Sequence, residues 1–249
     1  MCGIFFSLCG QDHVPPDPAT ARLLRNRGPD SCEEHRISLS SSGGNGRKLH
    51  ATFVSTVLSL RGTSVVEQPL VSKNTGHVLC WNGEAWSIAG QRVSGNDSKA
   101  VLEALSENQF DELDRKSVAL HTARVLSSIR GPYAFVYLCN GYLFYGRDCL
   151  GRRSLLRKTT ADGQLVLSSV CDNSSGDDWA EVEADGICMV DVDKIFTHSL
   201  QTATTHIPHR RAESLTDELS FVGKWPCLRT LLNSPGNSLF NDESINQSG

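Results

Sequence analysis

The stretch YAFVYLCNGYLFYGR, residues 133–147, decides the fold. Two runs rich in aromatic and β-branched residues, Tyr133–Leu138 and Tyr142–Arg147, flank Asn140-Gly141. Asn and Gly accept the positive φ that a two-residue turn demands, so the pair predicts an antiparallel hairpin. A second hairpin is expected at Asp162-Gly163, pairing Ser154–Lys158 with Leu165–Val170, and Ile187–Val192 supplies a further strand. Upstream, Cys2–Leu8 and Leu49–Leu60 read as strands, and Val78–Trp81 as another that ends at Asn82-Gly83. Asp17-Pro18 sets an N-cap and a first-turn proline for a helix that Gly28-Pro29 stops after Arg27. Asn96 or Asp97 caps a second helix, with Ala100, Val101, Ala104 and Leu105 on one face; Val118, Thr122, Val125, Leu126 and Ile129 line a third. Helices grouped between sets of antiparallel strands predict an α+β layered fold rather than parallel βαβ units.

Among 249 residues, 24 Lys plus Arg stand against 28 Asp plus Glu, with no block of like charge. That balance argues against nucleic acid or an anionic membrane as the main partner. No apolar run reaches the length of a membrane span, and the N-terminus lacks a basic region ahead of its apolar stretch, so a cytoplasmic protein is expected. The nine cysteines are scattered without any C-x-x-C spacing, which fits neither a disulfide framework nor a zinc site. His206 and His209 lie three apart in a segment that reads as irregular and without an acidic partner, so no metal site is expected.

Cys2 is the first candidate for chemistry. A free thiol, with a pKa of about 8.5, is mostly protonated at neutral pH and needs a base. If Met1 is removed, Cys2 brings its own: an α-amine with a pKa of about 8, placed to take the thiol proton and pass it to a leaving ammonia. A cysteine after the initiator methionine is by itself a weak signal.

An ordered series strengthens it: Cys2-Gly3-Ile4, then Arg25-Asn26-Arg27-Gly28-Pro29-Asp30, Trp81-Asn82-Gly83-Glu84, Asn96-Asp97-Ser98, and Gly146-Arg147-Asp148-x-x-Gly151. This series resembles the class II glutamine amidotransferases, which are N-terminal nucleophile hydrolases. R-x-R-G-P-D and the G-R-D-x-x-G-R-R-S-L-L run resemble the asparagine synthetase branch, and within it the asparagine synthetase domain-containing proteins, over about residues 2–192. The resemblance implies a four-layer αββα fold with two stacked antiparallel sheets that hydrolyses L-glutamine to glutamate and ammonia for asparagine biosynthesis. It implies that Cys2 attacks, that the Asn82 side-chain amide and the Gly83 N–H form the oxyanion hole, and that Arg61, Asp97 and Glu84 bind the substrate. Arg61 would take the α-carboxylate in a bidentate fork and Asp97 the α-ammonium. Gly28-Pro29-Asp30 and the Gly146–Gly151 element are expected to be mainly structural, with Arg25, Arg147 and Asp148 in polar contacts near the site.

Only six residues separate Arg61 from Gln68-Pro69-Leu70, fewer than the asparagine synthetases have, and Ser98-Lys99 stands where those commonly have Cys-Glu. Ser42-Gly43-Gly44 begins like a pyrophosphate loop, but Gly46 and Arg47 stand where Asp and Ser are required. Residues 2–198 are therefore expected to form the amidotransferase domain, and 199–249 a linker or the incomplete start of a C-terminal synthetase domain. No cofactor is expected in this chain; ATP and Mg would belong to a synthetase domain beyond it or on another chain. The competing readings are a catalytically silent amidotransferase-like module and a fragment of a longer protein.

Overall fold

The structure, a computed structural model, describes residues 1–41, 46–107, 115–160, 162–172 and 179–209. In chain order the elements are β1 (Gly3–Cys9), α1 (Pro18–Arg27), β2 (Ser31–Ser40), β3 (Lys48–Val57), β4 (Leu70–Val71), β5 (Val78–Gly83), β6 (Ser87–Ile88), β7 (Gln91–Arg92), α2 (Asp97–Ser106) and α3 (Arg115–Ser128). They continue through β8 (Tyr133–Cys139), β9 (Tyr142–Arg147), β10 (Leu156–Thr159), β11 (Leu165–Ser168), β12 (Ala180–Glu181), β13 (Gly186–Asp191), α4 (Val192–Ile195), α5 (Leu200–Ala203) and β14 (Thr204–Pro208).

Among the described residues two six-stranded antiparallel sheets result, in the orders β12-β10-β11-β1-β3-β2 and β14-β13-β9-β8-β5-β4, and β6 and β7 pair as a separate two-stranded sheet. Asn140 and Gly141 take φ of 47° and 75°, and the turn they make aligns β8 with β9 from Cys139↔Tyr142 to Ala134↔Arg147. The Asp162-Gly163 turn likewise joins β10 to β11. Strand alternation then sorts the side chains. Ile4, Phe6 and Leu8 of β1 pack with Ala51 and Phe53 of β3 against Val78, Cys80, Val136 and Tyr145 of the other sheet, forming the core between the sheets. The opposite face of β5 and β8, with Leu79, Trp81, Tyr133 and Phe135, packs on Val101 and Leu105 of α2 and on Leu126 of α3. Outside the first sheet, Leu24 of α1 covers Phe5 and Val54. Helix, sheet, sheet and helices make the four-layer α+β arrangement. Among the described residues no helix is long and apolar enough to cross a membrane.

The structure departs from the sequence reading in several places. Strand β3 ends at Val57, three residues short of Leu60, because the chain then turns to wall the pocket described below. Strand β2 pairs with β3 over ten residues although its sequence, SCEEHRISLS, gives no strand signal; as the edge of its sheet it carries charged side chains into solvent. The ordered fold does not stop at residue 198. Ser199 caps α5 through a bond from Thr202 N, and β14 adds to the sheet beside β13, so the fold runs to at least Pro208. Its side chains are polar because it too is an edge strand. His206, on β14, does have an acidic partner, Asp185 Oδ1 at 3.0 Å. Ser42-Gly43-Gly44 and everything from residue 210 onward lie outside the described residues.

Candidate active site

Cys2 precedes β1 and shares the parity of Ile4, Phe6 and Leu8; Asn82 shares that of Val78 and Cys80. Alternation therefore directs both side chains between the sheets at the same end of the sandwich. There a pocket is lined by all six residues expected of a site, Cys2, Arg61, Asn82, Gly83, Glu84 and Asp97, together with Met1 and Arg153. With Met1 in place the enclosed part of the pocket is about 50 Å³, space for a few waters.

The backbone of Cys2 is fixed by α1. Arg27 Nε donates to the Cys2 carbonyl oxygen at 3.1 Å, and the Met1 ammonium donates to the Arg27 carbonyl at 3.3 Å. Arg25, expected near the site, is instead exposed; it is Arg27 that reaches in. Gly28 is demanded by closeness, since a Cβ there would sit 2.4 Å from the Thr56 carbonyl carbon and the Val57 nitrogen. Asp30 then accepts the Ser59 N–H at 2.7 Å, pinning the loop after β3. The Cys2 thiol lies 3.8 Å from the Leu58 carbonyl oxygen. Burial pushes its pKa above the ordinary thiol value, so the neutral thiol is the resting form and a base is required. Burial, with help from Arg27 and Arg153, moves the Met1 amine the other way, below its usual value.

Asn82-Gly83 is not a turn. Both residues end β5 and pair with Ala134 and Tyr133 of β8. Asn82 is 1% exposed, yet its Nδ2 has no hydrogen-bond partner. A buried amide donor without an acceptor costs about 1–3 kcal/mol, which a ligand oxygen would recover. In the β5–β8 ladder Glu84 N donates to Pro132 O. Antiparallel alternation then leaves Gly83·Tyr133 as a non-hydrogen-bonded pair, so the Gly83 N–H turns away from β8. The N–H two residues earlier, that of Trp81, turns the same way and donates to Gln68 Oε1 at 2.7 Å. Gly83, two residues beyond that bond on the same side of β5, lines the pocket. A Cβ on Gly83 would stand 2.4 Å from Pro132 O, which accounts for glycine there.

Arg61 spans two carbonyls, Nη1 to Ala85 O and Nη2 to Val93 O, each at 2.9 Å. Asn96 caps α2 through Lys99 N, which leaves Asp97 as the first helical residue and not the cap. Asp97 is 6% exposed, and its Oδ2 accepts the Trp81 indole N–H at 3.1 Å and the Ala85 N–H at 2.8 Å. Glu84 pairs with Arg153 Nη2 at 3.3 Å. Asp148 is a structural hub: its carboxylate takes the N–H groups of Tyr133, Leu150 and Arg152 and the Arg152 Nε, holding the β8 start beside Gly83. Gly151 closes that element at φ 62°, where a Cβ would collide with the Arg147 guanidinium. Arg27, Gln68 and Arg153 were not singled out from the sequence; R-x-R-G-P-D contains Arg27 but does not say which of its arginines turns inward.

No family model matches the chain. It is 34% identical over 202 residues to asparagine synthetase domain-containing protein 1 of Homo sapiens and 35% identical over 176 residues to that of Gallus gallus, covering 77% and 68% of this chain. The chain spans 28% and 25% of the length of those two relatives. Among solved structures, its fold matches glutamine phosphoribosylpyrophosphate amidotransferase from B. subtilis, with TM-score 0.52 at 16% identity, over 84% of this chain and 50% of that one. It also matches a structure described as the allosteric regulatory enzyme of purine biosynthesis, with TM-score 0.55 at 16% identity, over 84% and 49%. At that identity the likeness shows the fold, and the curated relatives supply the branch. The chain is related to part of the asparagine synthetase domain-containing proteins and carries the fold of those two amidotransferase structures.

Proposed function

We propose that this domain, once Met1 is removed, hydrolyses L-glutamine to glutamate and ammonia. The observation that carries the reading is the buried, unpartnered Nδ2 of Asn82 in the pocket that Cys2 lines. The freed Cys2 amine takes the thiol proton as sulfur bonds to the side-chain amide carbon of glutamine. The resulting oxyanion meets Asn82 Nδ2 and the Gly83 N–H, donors in place before the charge develops. The ammonium then returns its proton to the leaving nitrogen, ammonia departs, and a glutamyl thioester remains. Water, deprotonated by the same amine, cleaves the thioester to glutamate and restores the thiol. Arg61 holds the substrate carboxylate, while Asp97 and Glu84 hold its ammonium. Ammonia passes to a synthetase domain or chain that makes asparagine with ATP and Mg, in the cytoplasm, where free thiols such as those of the described cysteines persist.

A second reading, a silent module that keeps the fold, draws on Arg61, whose two terminal nitrogens already serve backbone carbonyls. Ammonia release from glutamine, measured on the chain beginning at Cys2 and on its Cys2→Ala variant, separates the two. Release by the first and not the second supports hydrolysis. Equal release, or none from either, supports the silent module.

A further inference from the structure

We propose that Arg153 is a positioning residue for the nucleophile: its guanidinium is the fixed positive charge that keeps the amine freed by loss of Met1 neutral and ready to accept a proton. The inference rests on the reading of that amine as the base.

Arg153 comes from the segment between β9 and β10 and lines the pocket with a side chain 19% exposed. Its Nη2 is tied to Glu84 Oε1, its Nη1 lies 3.5 Å from the Met1 sulfur, and its buried Nε has no partner. Excision of Met1 removes the contact to Nη1. Two donor nitrogens of one guanidinium then lack their partners beside the new N-terminus, in a site where desolvation strengthens charge interactions. Arg27 is the other cation close by, but its Nε holds the Cys2 carbonyl, so it works through the backbone as well as through charge. The opposing charges are the Cys2 sulfur itself and, more weakly, Asp30 after α1, which favour protonation of the N-terminal amine, Asp97 of α2, which acts on the Cys2 thiol, and Glu84, which is engaged by Arg153 itself; the Cys2→Ser background below removes the first. Arg61 lines the same pocket from the loop after β3. Arg27 and Arg153 both disfavour the protonated N-terminus already in the Met1-bearing chain. Excision leaves the amine on Cys2, which lines the same pocket as Arg153.

The test titrates the amine itself and needs no turnover. In the Cys2→Ser background, where no thiol titrates at the terminus, the pH dependence of N-terminal acylation is read by peptide mass spectrometry for Arg153, Arg153→Gln, Arg153→Met and Arg153→Lys chains. The amine should titrate below its ordinary value with Arg153. The midpoint should move up by about half a pH unit or more with Gln or Met and stay in place with Lys. A midpoint unmoved by either neutral substitution, or moved as far by Lys as by Gln, overturns the proposal. Two neutral variants guard against one that does not fold. Absence of glutaminase activity would count against the proposed function and leave this titration decisive for Arg153.

Discussion

The Asp97 carboxylate holds Trp81 through one oxygen: Oδ2 accepts the indole N–H at 3.1 Å and the Ala85 N–H at 2.8 Å. Asp97 therefore ties the first turn of α2 to the end of β5 and also lines the pocket. Asp97 thus joins the scaffold to the pocket.

Asp97→Asn sets an amide against those donors and removes the charge offered to the substrate ammonium. Loss of about 1–3 kcal/mol of stability is expected from a urea titration. KM for glutamine should rise by on the order of tenfold or more, as for a lost bond to a charged group.

Asn82 behaves in the opposite way. Its Nδ2 bonds nothing in the folded protein. Asn82→Ala is expected to lower kcat by about 10²–10³, the effect of one missing oxyanion donor, while the denaturation midpoint moves little. Comparable losses of stability and rate would mark Asn82 as scaffold.

Gly28→Ala drives a Cβ into the Thr56–Val57 peptide. Backbone cannot yield as a side chain can, so destabilisation of about 1–3 kcal/mol is expected in a urea titration. The same shift frees Asp30 from Ser59 N and loosens the loop carrying Arg61.

His77 carries a pH dependence. Its Nδ1 lies 2.8 Å from the buried Tyr137 hydroxyl and its Nε2 3.3 Å from Asn140 Oδ1, and burial lowers its pKa below the ordinary value. The unfolded chain thus binds a proton at about pH 6.5 that the folded chain still refuses. The stability from this group is complete above that pH and is lost as pH falls through it toward the lower folded value. Its contribution to the slope is at most about 1.4 kcal/mol per pH unit. His77→Gln should flatten the pH dependence of the thermal midpoint over this window; an unchanged slope would discount the group.

The legible parts of the fold were those written in local chemistry. Asn140-Gly141 needs two positive φ angles and Asp17-Pro18 caps and starts a helix, so both sites read true. Edge strands β2 and β14 did not, because solvent faces them and their polar sequences resemble loops. The candidate residues came from a motif series, and Cys2, Arg61, Asn82, Gly83, Glu84 and Asp97 line one pocket. Their supports were not. Gln68, Arg27 and Arg153 act across the fold on Trp81, Cys2 and Glu84, and no spacing along the chain encodes contacts of that kind.

The central claim, that Cys2 attacks glutamine once Met1 is gone, is tested most directly by intact-mass analysis of the chain mixed with glutamine and quenched in acid. A glutamyl adduct located on Cys2, formed and consumed as ammonia appears and absent when Met1 is retained, is the predicted result. Ammonia release without any adduct, from the Met1-bearing chain and from Cys2→Ala alike, would contradict it.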